Sequence, residues 1–276
     1  MRLLCVGALW ALLQMPVWAQ VVVPTPAPAS AAQATWPNTA HLSGQAFLTP
    51  GLLALHNDPG SNPISLWLDR GALAWNDASQ GPSCASCHGP VQSLRQAVVS
   101  YPRLAAQGQG LINLEDQIQA CRLRSAKAAT PDGADHEEVL ALSAVLHQAA
   151  KGLAWEVKAP TTKTTEQAAW QGHLNRGAAL YTQRIGRMNL ACQHCHDLNV
   201  GKQLRADVIS PGHPTGFPVY RMSWQNLGSL DRRLRACFSG VQAQMPSPGD
   251  PVLRDLELYL KVRASGMPLD GPSIRR

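Results

Sequence analysis

Apolar residues between Leu3 and Leu13 run on almost without a break, and nothing later in the chain is as long and as apolar. Further on, apolar positions recur at helical spacing. Leu66, Leu68, Leu73 and Trp75 predict a helix near Ile64 to Asp77, running towards Cys84. A second is expected from Leu111 to about Leu123, and a third from His136 to Ala150. Trp170, Leu174, Ala178 and Tyr181 mark another ahead of Cys192. Leu227, Leu230 and Leu234 fall at i, i+3 and i+7, a buried stripe whose inward face Cys237 shares. The helix there is expected from about Leu230, and a closing helix from Pro251 to Arg263. Pro50-Gly51, Asp58-Pro59-Gly60 and Asn62-Pro63 read as turns, and Val200 to Pro218 as a Pro/Gly-rich loop. Strand signals are few. The expected class is all-α, in two helical modules joined between about Lys151 and Thr165.

The early apolar run is too short to span a bilayer. Arg2 precedes it and Val17-Trp18-Ala19 follows, so residues 1–19 read as a signal peptide that exports the chain to the periplasm without a membrane anchor. Cys5 lies too deep in that run for a lipid-modified cysteine. Residues 20–37, rich in Val, Pro, Ala, Thr and Ser, form a flexible lead-in. The 276 residues are 45% hydrophobic and 15% charged, a globular composition with room for two domains. These are expected at 38–155 and 156–276. The pI of about 9.1 comes without a basic run carrying interleaved aromatics, so nucleic acid is not an expected partner. Clustered arginine fits anionic small molecules or a protein better.

The two modules share a motif order. Cys84-Ala-Ser-Cys87-His88 is followed by Leu111-Ile-Asn-Leu-Glu-Asp-Gln-Ile-Gln-Ala-Cys121; Cys192-Gln-His-Cys195-His196 is followed by Leu227-Gly-Ser-Leu-Asp-Arg-Arg-Leu-Arg-Ala-Cys237. One unit is therefore written twice. In C-x-x-C-H, two thiols on one helical turn reach the vinyl groups of a haem and the adjacent histidine supplies the proximal imidazole. Zinc would need a second cysteine pair, and no other C-x-x-C is present. Two covalently attached c-type haems follow, with His194 read as a spacer.

Each iron needs a sixth ligand. The first module offers Cys121, His136 and His147; the second offers Cys237, His213, Met222, Met245 and Met267. Only the cysteine recurs at matching positions, so Cys121 and Cys237 are expected as thiolate ligands opposite His88 and His196. The competing reading joins Cys121 to Cys237 in a disulfide. A thiolate lowers the iron potential, and coordination keeps the sulfur deprotonated and nucleophilic.

Asn113 and Ser229 hold the N-cap position of the two cysteine helices, with acidic residues following in the first turn. The copies differ in charge: Arg232, Arg233 and Arg235 replace Asp116, Gln117 and Gln119. Arg233, at i−4, lies one turn from Cys237 and suits an anion bound beside that sulfur. Arg232 and Arg235 read as a solvated face or as partners of haem propionates.

Gly216-Phe-Pro-Val-Tyr-Arg221, Trp224, Leu227-Gly-Ser-Leu230, Arg233 and Cys237, together with the paired motifs, resemble the SoxA family of di-haem cytochromes. So do Leu256-Glu-Leu-Tyr-Leu260, Gly266-Met-Pro and Gly271-Pro in the tail. The resemblance implies two cytochrome c-like domains, His88/Cys121 and His196/Cys237 ligation, and a catalytic Cys237 carrying a persulfide. It makes Arg233 the substrate contact. It also implies L-cysteine S-thiosulfotransferase activity, the oxidative coupling of thiosulfate to a cysteine of the carrier protein SoxYZ. Electrons would leave through a mono-haem SoxX-like subunit to a downstream cytochrome c. Where the family has an Arg-Ala-Glu-Pro-like run, this chain has Gln242-Ala-Gln-Met-Pro246. Two other functions stay open: a thiosulfate dehydrogenase forming tetrathionate, which would favour Met222 or Met245 at the second iron, and a non-catalytic electron-transfer cytochrome.

Overall fold

Helix boundaries follow the caps that the sequence supplies. In a computed structural model describing residues 41–105, 110–125, 127–128, 133–161 and 164–276, Thr49 caps α1 (Pro50–Asn57) and proline opens its first turn. The expected signal peptide and lead-in lie outside the described residues. Next come α2 (Ile64–Asn76), α3 (Cys84–His88) and α4 (Arg95–Val98), then the short strands β1 (Arg103–Leu104) and β2 (Leu111–Ile112). α5 (Leu114–Arg124) and α6 (Glu137–Ala150) complete the first half.

The second half contains α7 (Thr164–Thr182), α8 (Cys192–His196), β3 (Gln203–Leu204), β4 (Asp207–Val208), β5 (Val219–Arg221) and β6 (Asn226–Gly228). It ends with α9 (Leu230–Gly240), α10 (Pro251–Arg263) and β7 (Ser273–Arg275). The chain is mainly helical, with small sheets added. β5 pairs antiparallel with β6 and parallel with β7, which draws the C-terminal tail onto the segment leading into α9.

One boundary differs from expectation, and one residue of an expected helical stripe lies outside its helix. Leu111 and Ile112 lie in a strand paired with Arg103 and Leu104, and the helix begins only at Leu114. A capping box stops it there: Asn113 accepts from the Asp116 amide, and Asp116 accepts from the Asn113 amide. Likewise Leu227 is fully buried but belongs to β6, because Ser229 caps α9. The buried stripe of α9 is Leu230, Leu234 and Phe238, and Cys237 at its edge is only half-buried.

α2 crosses α6, and α7 crosses α10, at glycine. A Cβ on Gly71 would stand 2.2 Å from the Ala141 carbonyl oxygen, and one on Gly177 would stand 2.1 Å from that of Asp255. Both crossings therefore require backbone contact. Trp75, Val99, Leu142, Leu146 and Trp155 form one core cluster, which Leu258, Met267 and Leu269 from the chain end join. Tyr181, Leu230, Leu234, Phe238, Leu253 and Leu256 form another. Each fully buried leucine contributes roughly 1.5–3 kcal/mol. The tail is held by backbone too: the Trp155 amide donates to the Met267 carbonyl, and the Gly266 amide to that of Trp155. Among the described residues no helix is long and apolar enough to cross a membrane.

Candidate functional site

α3 is a single capped turn. Ser83 accepts from the Ser86 amide at 3.0 Å and so places Cys84, Cys87 and His88 on one coil. Trp75 steadies its end, donating from Nε1 to the Gly89 carbonyl at 3.1 Å with its ring 6.2 Å from that of His88. Burial pushes the Cys84 thiol up, Lys127 opposes this, and the sulfur of Cys121 adds to it. The structure thus brings Cys121 into the electrostatic reach of the first motif. Cys121 Sγ accepts from Gln117 Nε2 at 3.4 Å and from Arg124 Nη2 at 3.1 Å.

In α8 the expected spacer has a task. His194 Nδ1 accepts from the Ala191 amide at 2.9 Å and closes the helix N-terminus, because Ala191 has no side-chain oxygen to do so. His196 Nδ1 donates to the Ser210 carbonyl at 2.8 Å, which leaves Nε2 as the lone-pair nitrogen. Burial lowers its pKa, keeping the ring neutral as metal ligation requires. A Cβ on Gly212, at φ +75°, would stand 2.9 Å from the His196 ring, so only glycine lets the loop close over the imidazole. Burial and then Cys237 push the Cys192 thiol up to about 11 and raise that of Cys195. Both motifs therefore fit haem: paired thiols on one turn, a histidine beside them and, in the second, a fixed neutral imidazole.

No disulfide forms among the six described cysteines, so the Cys121–Cys237 link is not made. The other candidate histidines of the first module are engaged elsewhere. His136 takes the N-cap of α6, and buried His147 bonds the Ser143 carbonyl through Nδ1 at 2.8 Å. His213 stacks 6.4 Å from His41 and lies within electrostatic reach of His196, Met222 and Met245 are exposed, and Met267 is buried in the core.

The arginines of α9 divide the work. Arg232 stacks on Trp224 at 4.3 Å. Arg235 is half-buried, and its Nε donates to the Pro246 carbonyl at 3.0 Å, tying down the altered segment after Cys237. Among the described residues the guanidinium of Arg233 has no carboxylate partner, and its charge is felt at His196. The sequence reading missed Arg221, in β5. Burial lowers its pKa, Arg233 acts in the same direction, and Asp207 and Cys237 oppose them. It pairs with Asp207 at 3.3 Å and is only 13% exposed. Two guanidiniums therefore face the Cys237 region; the Tyr220-Arg221 position in the motif was the one available hint.

A family model described as SoxA/TsdA, cytochrome c domain, matches residues 70–155, which include the first motif, so the chain carries c-type haem. The SoxA subunit of L-cysteine S-thiosulfotransferase from Pseudaminobacter salicylatoxidans is 35% identical, with 85% of this chain and 81% of that protein covered. Its counterpart from Paracoccus pantotrophus is 28% identical over 84% of this chain and 78% of that one. The crystal structure of SoxXA from P. pantotrophus superposes with a TM-score of 0.76 at 28% identity, covering 85% of this chain and 86% of that one. With this identity held over most of both chains, and with the cysteine, histidine and arginine positions assembled as above, the chain belongs to the SoxA family.

Proposed function

We propose that this chain is the catalytic subunit of an L-cysteine S-thiosulfotransferase, joining thiosulfate oxidatively to a cysteine of a SoxYZ-type carrier. The names of its relatives support this reading. The observation that carries the site assignment is Gln117. One turn before Cys121, its amide nitrogen reaches the sulfur at 3.4 Å. Arg233 holds the same place before Cys237, and its longer side chain is suited to bind an anion beside that sulfur.

The sulfonate of thiosulfate is held by Arg233 with Arg221 behind it, and the sulfane sulfur lies towards Cys237. Guanidinium pairs bind such oxyanions through charge-assisted hydrogen bonds and favour the dianion over neutral competitors. The carrier thiol loses its proton, the sulfane and thiol sulfurs bond, and two electrons are released; no atom leaves except that proton. When bound, c-type haem supplies the one-electron acceptor. Cys237 would hold the second haem iron and carry the persulfide, keeping a nucleophilic sulfur beside the bound thiosulfate.

In the wider reading two haems would be held, one by His88 and Cys121 with attachment through Cys84 and Cys87, the other by His196 and Cys237 with attachment through Cys192 and Cys195. They belong to two cytochrome c-like domains, 38–155 and 156–276, related by an internal repeat. Export by residues 1–19 places the protein in the periplasm. There a SoxX-like mono-haem cytochrome is its partner and a further cytochrome c its acceptor. The likeness to SoxXA from P. pantotrophus supports the first partnership.

The test compares Arg233→Ala and Arg233→Lys in thiosulfate coupling to the carrier, with intact mass and fragmentation across Cys237. The expected result is two haem adducts, an extra sulfur on Cys237, and coupling lost in Arg233→Ala with unchanged optical spectra. Full coupling in Arg233→Ala would remove Arg233 from substrate binding, and no coupling by the wild-type protein would return the chain to electron transfer alone. Tetrathionate formation without carrier would favour the dehydrogenase.

A further inference from the structure

The two cysteine-bearing helices meet at one buried side chain. Arg254 of α10 is 4% exposed. Its Nε and Nη2 donate to the two oxygens of Asp116 at 2.6 and 2.8 Å, and its Nη1 donates to Asp231 Oδ1 at 3.0 Å. Asp116 lies in the first turn of α5, ahead of Cys121; Asp231 lies in the first turn of α9, ahead of Cys237. A single guanidinium thus grips the N-terminal turns of both helices.

We propose that Arg254 is a positioning residue that sets Cys121 and Cys237 relative to their irons, an inference that rests on the ligation read above. Helices transmit displacement along their length, and at 1.5 Å per residue each sulfur lies about 7–9 Å down the axis from its clamped carboxylate. Both carboxylates carry a second duty. Asp116 closes the capping box on Asn113, and Asp231 also accepts from the Gly249 amide at 3.2 Å, in the loop beyond Cys237. Moving either one disturbs the cap of α5 or the segment flanking the Cys237 site.

The surroundings explain why the clamp must be arginine. Glu257 approaches Nη1 at 3.9 Å, binds Lys261 at 2.9 Å and accepts from Asn113 Nδ2 at 3.0 Å, so two cations, Arg254 and Lys261, serve three carboxylates. Within this cluster a planar fork presents two donors to one helix and a third to the other. Lysine keeps the charge but offers a single nitrogen, which cannot grip both carboxylates in this geometry. The two carboxylates are also favoured at the positive ends of both helix dipoles.

The experiment uses haem-loaded full-length protein with R254K, R254M, D116N and D231N. Low-temperature electron paramagnetic resonance of the ferric form reports sulfur ligation at each iron, and thermal midpoints report the fold. The expected pattern is a shift of both sulfur-ligated signals in R254K and R254M, of the Cys121 signal alone in D116N, and of the Cys237 signal alone in D231N. Midpoints that fall while both signals stay unmoved would show a merely structural bridge and overturn the inference. Should the Arg254 variants fail to fold, the two near-isosteric Asp→Asn variants decide it, since unmoved signals in both also overturn it. A wild-type protein with no sulfur-ligated signal overturns the ligation reading and this inference with it; sulfur ligation that R254K leaves unchanged overturns this inference alone.

Discussion

Replacing Gly212 by alanine tests whether the second imidazole is held by the loop that covers it. The backbone cost arises from φ +75°, where an L side chain costs about 1–2 kcal/mol. The contact cost arises because the new Cβ would stand 2.9 Å from Cγ and Nδ1 of His196 and 3.3 Å from its Cβ. Carbon contacts favour about 3.5–4.0 Å, so either the ring or the loop must shift by more than half an ångström. Overpacking of this kind adds roughly 1–3 kcal/mol. It also strains the 2.8 Å bond from His196 Nδ1 to the Ser210 carbonyl. Gly201→Ala separates the two costs: its φ is +82°, but nothing lies within 4 Å of the added Cβ. Thermal unfolding of both haem-loaded variants is expected to place Gly212→Ala below Gly201→Ala by about 2–4 °C for each kcal/mol of contact cost. Only Gly212→Ala should perturb the ferric spectrum of the His196 iron. Equal midpoints and unchanged spectra in both variants would refute the argument that Gly212 is required by the imidazole.

Gly177→Ala forces a Cβ to within 2.1 Å of the Asp255 carbonyl and should cost at or above the upper end of the roughly 1–3 kcal/mol range. Gly172→Ala on the same helix meets only Arg176 Nη1 at 3.5 Å and should be neutral or gain up to about 1 kcal/mol; denaturant titrations rank the pair. Asn113→Ala removes a capping box and the 3.0 Å bond to buried Glu257, for an expected loss of about 2 kcal/mol or more by chemical denaturation. His147 is held down to about 4 by burial, with Lys261 adding to the effect. Its unfolded value is higher, so the unfolded chain binds the proton first as pH falls. Its contribution, roughly 3 kcal/mol, is therefore full above about pH 6.5 and is lost on acidification towards pH 4. His147→Asn, which keeps a donor towards the Ser143 carbonyl, should flatten the stability–pH slope in that window; an unchanged slope would refute it.

Much of the site was legible because its chemistry is local. C-x-x-C-H places two thiols and an imidazole within one turn, and Ser83 secures α3 within that same turn. Asn113 and Ser229 announce the starts of α5 and α9, since a cap needs only a side-chain oxygen and an amide a few residues on. The i−4 place of Arg233 follows from helix geometry alone. The same locality explains the misplaced start at Leu111: hydrophobic periodicity runs through a cap and does not register the strand partner at Arg103 and Leu104.

Tertiary structure decided what depends on partners far along the chain. The Ser210 carbonyl on His196, Arg221 beside Arg233, the Arg235 anchor on Pro246, and β7 alongside β5 leave no periodic trace, because each joins segments brought together only by packing. Arg254 shows this most clearly. In sequence it is one cation on a mixed helix, and nothing local distinguishes it from a solvated residue. Only in the folded chain do the first turns of α5 and α9 converge on it, and the cost of burying a charge then demands both carboxylates. Sequence determined which atoms could do the chemistry; packing determined which of them meet, since the free energy of a long-range contact depends on the whole fold that closes it.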